Sequence, residues 1–174
     1  MPKPTIIFLA GFAGSGKTTV GRLLARRLKW EFHDLDDAIV KSAGRSVASI
    51  FAGEGERAFR RCETATLKAL CKKGRRNAVI ALGGGTLLNA ANRAVIQQQG
   101  QTVYLSCSRA ELYRRLRRAT ARPLLKATSG VEMKRRIGKL LAARIRYYRI
   151  CDLRISVTGK SPQEVAREVH EHVS

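Results

Sequence analysis

The sequence predicts an α/β fold, a central parallel sheet of five strands with helices on both faces. Three observations carry that prediction. Short apolar runs alternate along the chain with longer stretches whose apolar residues recur at helical spacing. The first apolar run opens directly into a glycine-rich loop. At 174 residues and 44% hydrophobic content, the chain is long enough for one well-buried core and short for two, so residues 1–174 are read as one domain.

The elements follow in order. Thr5–Ala10 is a compact apolar run that stops at glycine, the pattern of a buried strand. From Thr18 onward, Val20, Leu23, Leu24 and Leu28 recur with arginines between them, an amphipathic helix. Glu31–Asp34 is a second short strand that ends in acids. Asp37–Cys71 reads as largely helical, punctuated by Gly44, Gly53 and Gly55. Ala78–Leu82 is a third strand, closed by Gly83-Gly84-Gly85. A helix is expected over Asn92–Gln99, with Gly100 at its C-terminal cap, and Thr102–Ser106 is a fourth strand. Ser108 and Glu111 have capping-box spacing, so a helix starts there. Arg117–Gly130 is rich in Arg, Thr and Ala, has poor apolar periodicity, and is expected to be a mobile lid (117–130). Leu153–Val157 is the fifth strand. Ser161-Pro162-Gln163-Glu164 then supplies a cap, a proline at the first helical position and an acid at the third. Trp30 is expected to fill the core.

Thirty-four Lys and Arg against 13 Asp and Glu give a net charge of +21, with a pI near 11.0. Such an excess attracts polyanions, nucleic acid included, and equally suits an enzyme whose substrates are anions. No apolar run reaches membrane-spanning length. Ile6–Ala10 is too short for a signal peptide and lacks a cleavage-site flank, so a cytoplasmic location is expected. Cys62, Cys71, Cys107 and Cys151 lie far apart with no C-x-x-C pair, and are read as reduced, mostly buried thiols.

The chemistry begins at Gly11-Phe12-Ala13-Gly14-Ser15-Gly16-Lys17-Thr18, a full match to G-x-x-x-x-G-K-[ST] between a strand and a helix. Glycines let the backbone curl so that successive N–H groups point at phosphate oxygens, and the helix aims its positive N-terminus at the same place. The loop is an ATP or GTP site and the fold a three-layer P-loop NTPase. Gly14, Ser15, Gly16, Lys17, Thr18 and Thr19 are its expected nucleotide contacts. Lys17 is expected to reach the β- and γ-phosphates, and the Thr18 hydroxyl to bind Mg²⁺.

The third strand ends without the carboxylate that a motor or GTPase uses to hold the metal, and no N-K-x-D motif reads guanine. The available acids are Asp34 and Asp36, after the second strand, at the sheet edge where ligands bind. Asp34 is expected to serve the metal and Asp36 to face an acceptor. The competing reading, that these acids only begin a helix, suits Asp37 better.

With the P-loop and Asp34-Leu35-Asp36 come Gly55-Glu56, Phe59-Arg60, Glu63, Gly83-Gly84-Gly85, Arg122-Pro123-Leu124-Leu125, and Arg144 four residues before Tyr148. In this order, over nearly the whole chain, they resemble the shikimate kinase family. The resemblance implies ATP-dependent phosphorylation of the shikimate 3-hydroxyl, with ATP and Mg²⁺ bound, in a monomer. It implies that Asp36 is the general base and that Arg60 and Arg144 grip the acceptor's carboxylate, Glu63 orienting Arg60. Gly83, Gly84 and Gly85 would let the acceptor approach the backbone. Arg122 would close over the γ-phosphate from the lid, Arg115 would stack near adenine, and Lys160 and Pro162 would line its other side. An acceptor-binding region is placed at about 36–62. Tyr148 is expected to pack rather than react. Val40 stands where the family often has an acid, a change expected to affect packing. Two rivals stay open here: a gluconate-type or other small-molecule P-loop kinase, and a basic nucleic-acid-associated ATPase. Nucleic acid is not the expected partner, because no aromatic-rich binding strand or recognition-helix motif accompanies the charge.

Overall fold

All five residues of β1 (Ile6–Ala10) are buried, as a strand covered on both faces requires. It lies at the centre of one sheet with β2 (Glu31–Asp34), β3 (Ala78–Ala81), β4 (Gln101–Ser106) and β5 (Leu153–Ser156). The order is β2-β3-β1-β4-β5, and every pairing is parallel. The computed structural model describes residues 6–72, 77–117 and 129–173.

The helices are α1 (Lys17–Leu28), α2 (Leu35–Ala43), α3 (Val47–Leu70), α4 (Ala90–Gln99), α5 (Arg109–Leu116), α6 (Gly130–Tyr148) and α7 (Pro162–Val173). The chain runs from β1 to β2 in one direction across the sheet and from β2 to β5 in the other. Right-handed crossovers therefore place α1 on one face and α3 and α4 on the opposite one. α7 packs beside α1. Winding reverses at β1, so the crevice at the C-terminal ends of β1, β2 and β3 is the place for a ligand.

Local sequence explains most helix starts. Ser108 accepts from the N–H of Glu111 at 3.3 Å, and Ser129 from that of Glu132 at 3.2 Å. At α7 the box is reciprocal: Glu164 donates its N–H to Ser161 Oγ at 3.3 Å and accepts that of Ser161 at 2.7 Å.

Several expectations need revision. The helical stretch 37–71 is two helices. Gly44 closes α2 in the left-handed conformation (φ 65°), and Ser46 caps α3. Gly53 does not interrupt α3, whereas Gly55 (φ 77°, ψ 177°) kinks it. α4 begins two residues earlier than Asn92, with Asn89 as its cap, after a 3-10 turn at Thr86–Leu88. α6 is not among the elements the sequence predicts, although Met133, Ile137, Leu140, Leu141 and Ile145 recur on it at helical spacing, with Arg144 on the same buried side. Of the expected lid, Arg117 ends α5 and Gly130 already opens α6; residues 118–128, with Arg122, lie outside the described residues. Trp30 is half-buried against the core rather than inside it, and Val40, 37% exposed, packs little.

Cys71 and Cys107 are buried, and Cys62 and Cys151 partly so. Burial pushes the thiols of Cys71 and Cys151 up to about 11, so both stay protonated at neutral pH. Among the described residues no helix is long and apolar enough to cross a membrane.

Candidate functional site

The P-loop links β1 to α1 at the reversal point. Gly16 caps α1 in the left-handed region (φ 93°). At Gly11 a Cβ would stand 2.7 Å from Ser15 Oγ and 2.8 Å from the Leu105 carbonyl oxygen, so only glycine leaves this turn closed. The Lys17 ammonium donates to the carbonyls of Gly11 (2.9 Å) and Phe12 (3.1 Å), which holds it over the loop. Ser15 is buried, and its hydroxyl has no hydrogen-bond partner among the described residues. Thr19 is exposed on the first turn of α1.

Asp34 does two jobs with its two oxygens. Oδ1 accepts the N–H of Asp36 at 3.1 Å and so caps α2. Oδ2 accepts the Thr18 hydroxyl at 2.7 Å. The helix-start and metal-acid readings of Asp34 are thus compatible. A hydroxyl and a carboxylate oxygen at this spacing form the hard-oxygen pair that Mg²⁺ prefers. Asp37 lies in the first turn of α2, where a carboxylate favours the helix dipole.

The glycine triplet after β3 is where the acceptor candidates meet. A Cβ on Gly83 would stand 3.0 Å from Asp36 Oδ1, one on Gly84 3.2 Å from Arg144 Nη1, and one on Gly85 2.8 Å from Arg60 Nη2. Three consecutive glycines therefore each leave room for a different functional side chain. Arg60 is held by two carboxylates: Glu63 at 3.0 Å and Glu56 at 3.1 Å. Burial acts against its charge, but Glu63 and Glu56 outweigh it and raise the guanidinium above its ordinary value. Arg144, nearly buried, lies over the Phe12 ring at 5.5 Å.

Three supports were not anticipated from the sequence. Thr86 Oγ1 donates to Glu63 Oε1 at 2.8 Å, both residues fully buried, which fixes the carboxylate that fixes Arg60. Tyr148 donates its hydroxyl to the Gly84 carbonyl at 2.6 Å, and burial keeps its phenol protonated. Tyr148 also stacks on Tyr104, so it packs as expected while holding the triplet. Asn92, buried, donates to the Thr86 carbonyl at 3.2 Å. Thr86 follows the triplet directly, Asn92 lies in α4 and Tyr148 in α6, and only the fold connects them.

On the nucleotide side, Arg115 donates to the Gly14 carbonyl at 3.3 Å, which places its guanidinium at the P-loop. Lys160 pairs with Glu168 at 2.5 Å, and Pro162 begins α7 in an exposed position. Arg122 lies outside the described residues.

A P-loop whose third strand ends in glycines facing two arginines and an aspartate matches one small-molecule kinase pattern, and the comparison with known proteins decides the matter. The family model for shikimate kinase matches residues 13–174. The chain belongs to the shikimate kinase family. It is 40% identical over 163 residues to the shikimate kinase of Geobacter metallireducens, covering 94% of this chain and 88% of that one. It is 40% identical over 183 residues to that of Chlorobaculum parvum, covering 99% and 96%. The solved shikimate kinase from Acinetobacter baumannii, in complex with shikimate, superposes with a TM-score of 0.90 at 34% identity, covering 98% of this chain and 93% of that one. The shikimate kinase from Aquifex aeolicus gives 0.79 at 35% identity, covering 94% and 93%. Family membership removes the gluconate-kinase reading and leaves the roles of individual residues to be argued from the site.

Proposed function

We propose that this kinase moves the γ-phosphoryl group of ATP onto the 3-hydroxyl of shikimate, with the glycine triplet as the floor of the acceptor site. The observation that carries this reading is the convergence of Asp36, Arg144 and Arg60 on Gly83, Gly84 and Gly85. Two guanidiniums beside adjacent glycines suit a planar carboxylate, since each presents a fork that matches its two oxygens. A carboxylate one glycine away suits a hydroxyl on the same small ring.

Asp36 takes the proton of the attacking hydroxyl, a new O–P bond forms to the γ-phosphorus, and ADP leaves with the electrons of the broken bond. Lys17 holds the β- and γ-phosphate oxygens once it exchanges its backbone carbonyl partners for them. Thr18 and Asp34 are the residues that would hold Mg²⁺, which when bound supplies positive charge to the phosphate oxygens. Arg115 lies at the nucleotide end; Lys160 and Pro162 complete that end in this reading. Arg122, outside the described residues, is assigned to the γ-phosphate in this reading. Residues 1–174 act as one unit. A monomer belongs to the same reading. A cytoplasmic location, where ATP is plentiful, belongs to the same proposal.

Steady-state kinetics test the assignment. Asp36→Asn lowers kcat by a factor on the order of 10²–10⁴ while ATP affinity stays within about twofold. Wild-type turnover in that variant would remove Asp36 from the base role. Arg60→Ala and Arg144→Ala each raise the shikimate KM by about ten- to a hundredfold, the worth of a charged hydrogen bond. Normal acceptor affinity in both variants would refute the clamp.

A further inference from the structure

Along α3, Arg57, Arg61, Thr64 and Lys68 follow one another at steps of four, three and four residues and share one helical stripe. Arg57, Arg61 and Lys68 are exposed. Together with Arg60 and Asn89 they line a groove of about 460 Å³ that has no carboxylate in its wall. Arg60 alone among these cations is paired, with Glu56 and Glu63; no ion pair among the described residues takes up Arg57, Arg61 or Lys68. Like charges four residues apart repel on a helix, so helix stability does not account for this arrangement.

The groove has a fixed floor and a link to the acceptor site. Asn89 donates to Thr64 Oγ1 at 3.2 Å, and Thr64 donates to Asn92 Oδ1 at 2.8 Å, which ties the stripe to the start of α4. Arg60 lies in its wall, and its guanidinium also stands against Gly85 in the acceptor site. One residue thus belongs to both the groove and the clamp.

We propose that this groove is the approach path of the anionic acceptor: Arg57, Arg61 and Lys68 gather its carboxylate and pass it to Arg60. The inference rests on the acceptor assignment above. A concave strip of one charge sign raises the local concentration of a counter-ion and speeds its arrival by tenfold or more at low salt. The effect fades as the Debye length shrinks from about 10 Å at 0.1 M to about 3 Å at 1 M. Contacts within the clamp are partly buried and are screened far less.

The test compares wild type with Arg57→Gln/Arg61→Gln/Lys68→Gln and with a control, Arg26→Gln/Arg27→Gln/Arg149→Gln, which removes three exposed charges elsewhere. Circular dichroism and Tm establish that both variants fold; a groove variant that does not is replaced by the three single substitutions. In about 20 mM salt the groove variant loses roughly three- to tenfold in kcat/KM for shikimate, through KM, with kcat and the ATP KM unchanged. The loss disappears in about 0.5 M salt, and the control follows wild type throughout. A groove variant that matches wild type at low salt, a loss that survives high salt, or an equal loss in the control would each overturn the approach path. Failure of wild type to turn over shikimate would overturn the acceptor assignment itself, and the path with it.

Discussion

Gly85 shows how much of this site depends on missing atoms. A methyl group there meets Arg60 Nη2 at 2.8 Å, so the guanidinium must shift from the position in which Glu56 and Glu63 hold it. Gly85→Ala is expected to raise the shikimate KM about tenfold, with ATP affinity nearly unchanged, because the atoms nearest the added methyl all belong to Arg60. Unchanged shikimate KM would mean that Arg60 does not meet the acceptor from this position. Thr86 makes the complementary case. Thr86→Val keeps the shape but removes the donor to the buried Glu63, leaving an uncompensated oxygen. Chemical denaturation should report a loss of about 1–3 kcal/mol, and the acceptor KM should rise as Arg60 loses its support. Wild-type stability with wild-type KM would show that the Thr86–Glu63 bond supports nothing.

Element by element, legibility followed chemistry that is local in sequence. The P-loop, the capping boxes of α5 and α7 and the apolar strands could be read directly, because each depends on residues within one turn or one run. α6 is not among the predicted elements, although Met133, Ile137, Leu140, Leu141 and Ile145 recur on it at helical spacing; what local pattern does not tell is that Arg144 joins its buried face. A cation must face inward there to reach Gly84. The supporting bonds of Thr86, Asn92 and Tyr148 were likewise hidden, because their partners lie six to 64 residues away. α5 shows an element built to aim one side chain. Arg114 and Arg115 hold the Glu111 carboxyl down at about 2, and Glu111 in turn holds Arg115 at 2.6 Å. A carboxylate whose folded pKa is depressed contributes its stabilisation above its ordinary value of 4.5, and loses it as pH falls towards about 2. The Glu111 carboxyl resonance should therefore remain in its ionised position at about pH 4, where an ordinary glutamate is more than half protonated. Titration of that resonance near 4.5 would show that Arg115 is not pinned. Glu111→Gln should loosen Arg115 and raise the ATP KM more than the shikimate KM.

At the scale of the whole molecule, topology makes one site out of distant stretches of chain. Parallel strands bring the ends of β1, β2 and β3 to one edge, and with them the P-loop, Asp34 with Asp36, and the glycine triplet. α3 and α6 then deliver Arg60 and Arg144 to that triplet. The net charge of +21 fits the same picture, for ATP and the proposed acceptor are both anions. The most direct test of the central claim, that the triplet with its aspartate and two arginines is a shikimate site, is ADP release with Mg²⁺-ATP and a panel of acceptors: shikimate, quinate, gluconate and nucleoside monophosphates. Strong stimulation by shikimate, lost in Arg60→Ala at the same concentration and regained at much higher shikimate, is the predicted result. No stimulation by shikimate, or an equal response to gluconate or a nucleoside monophosphate, would contradict it.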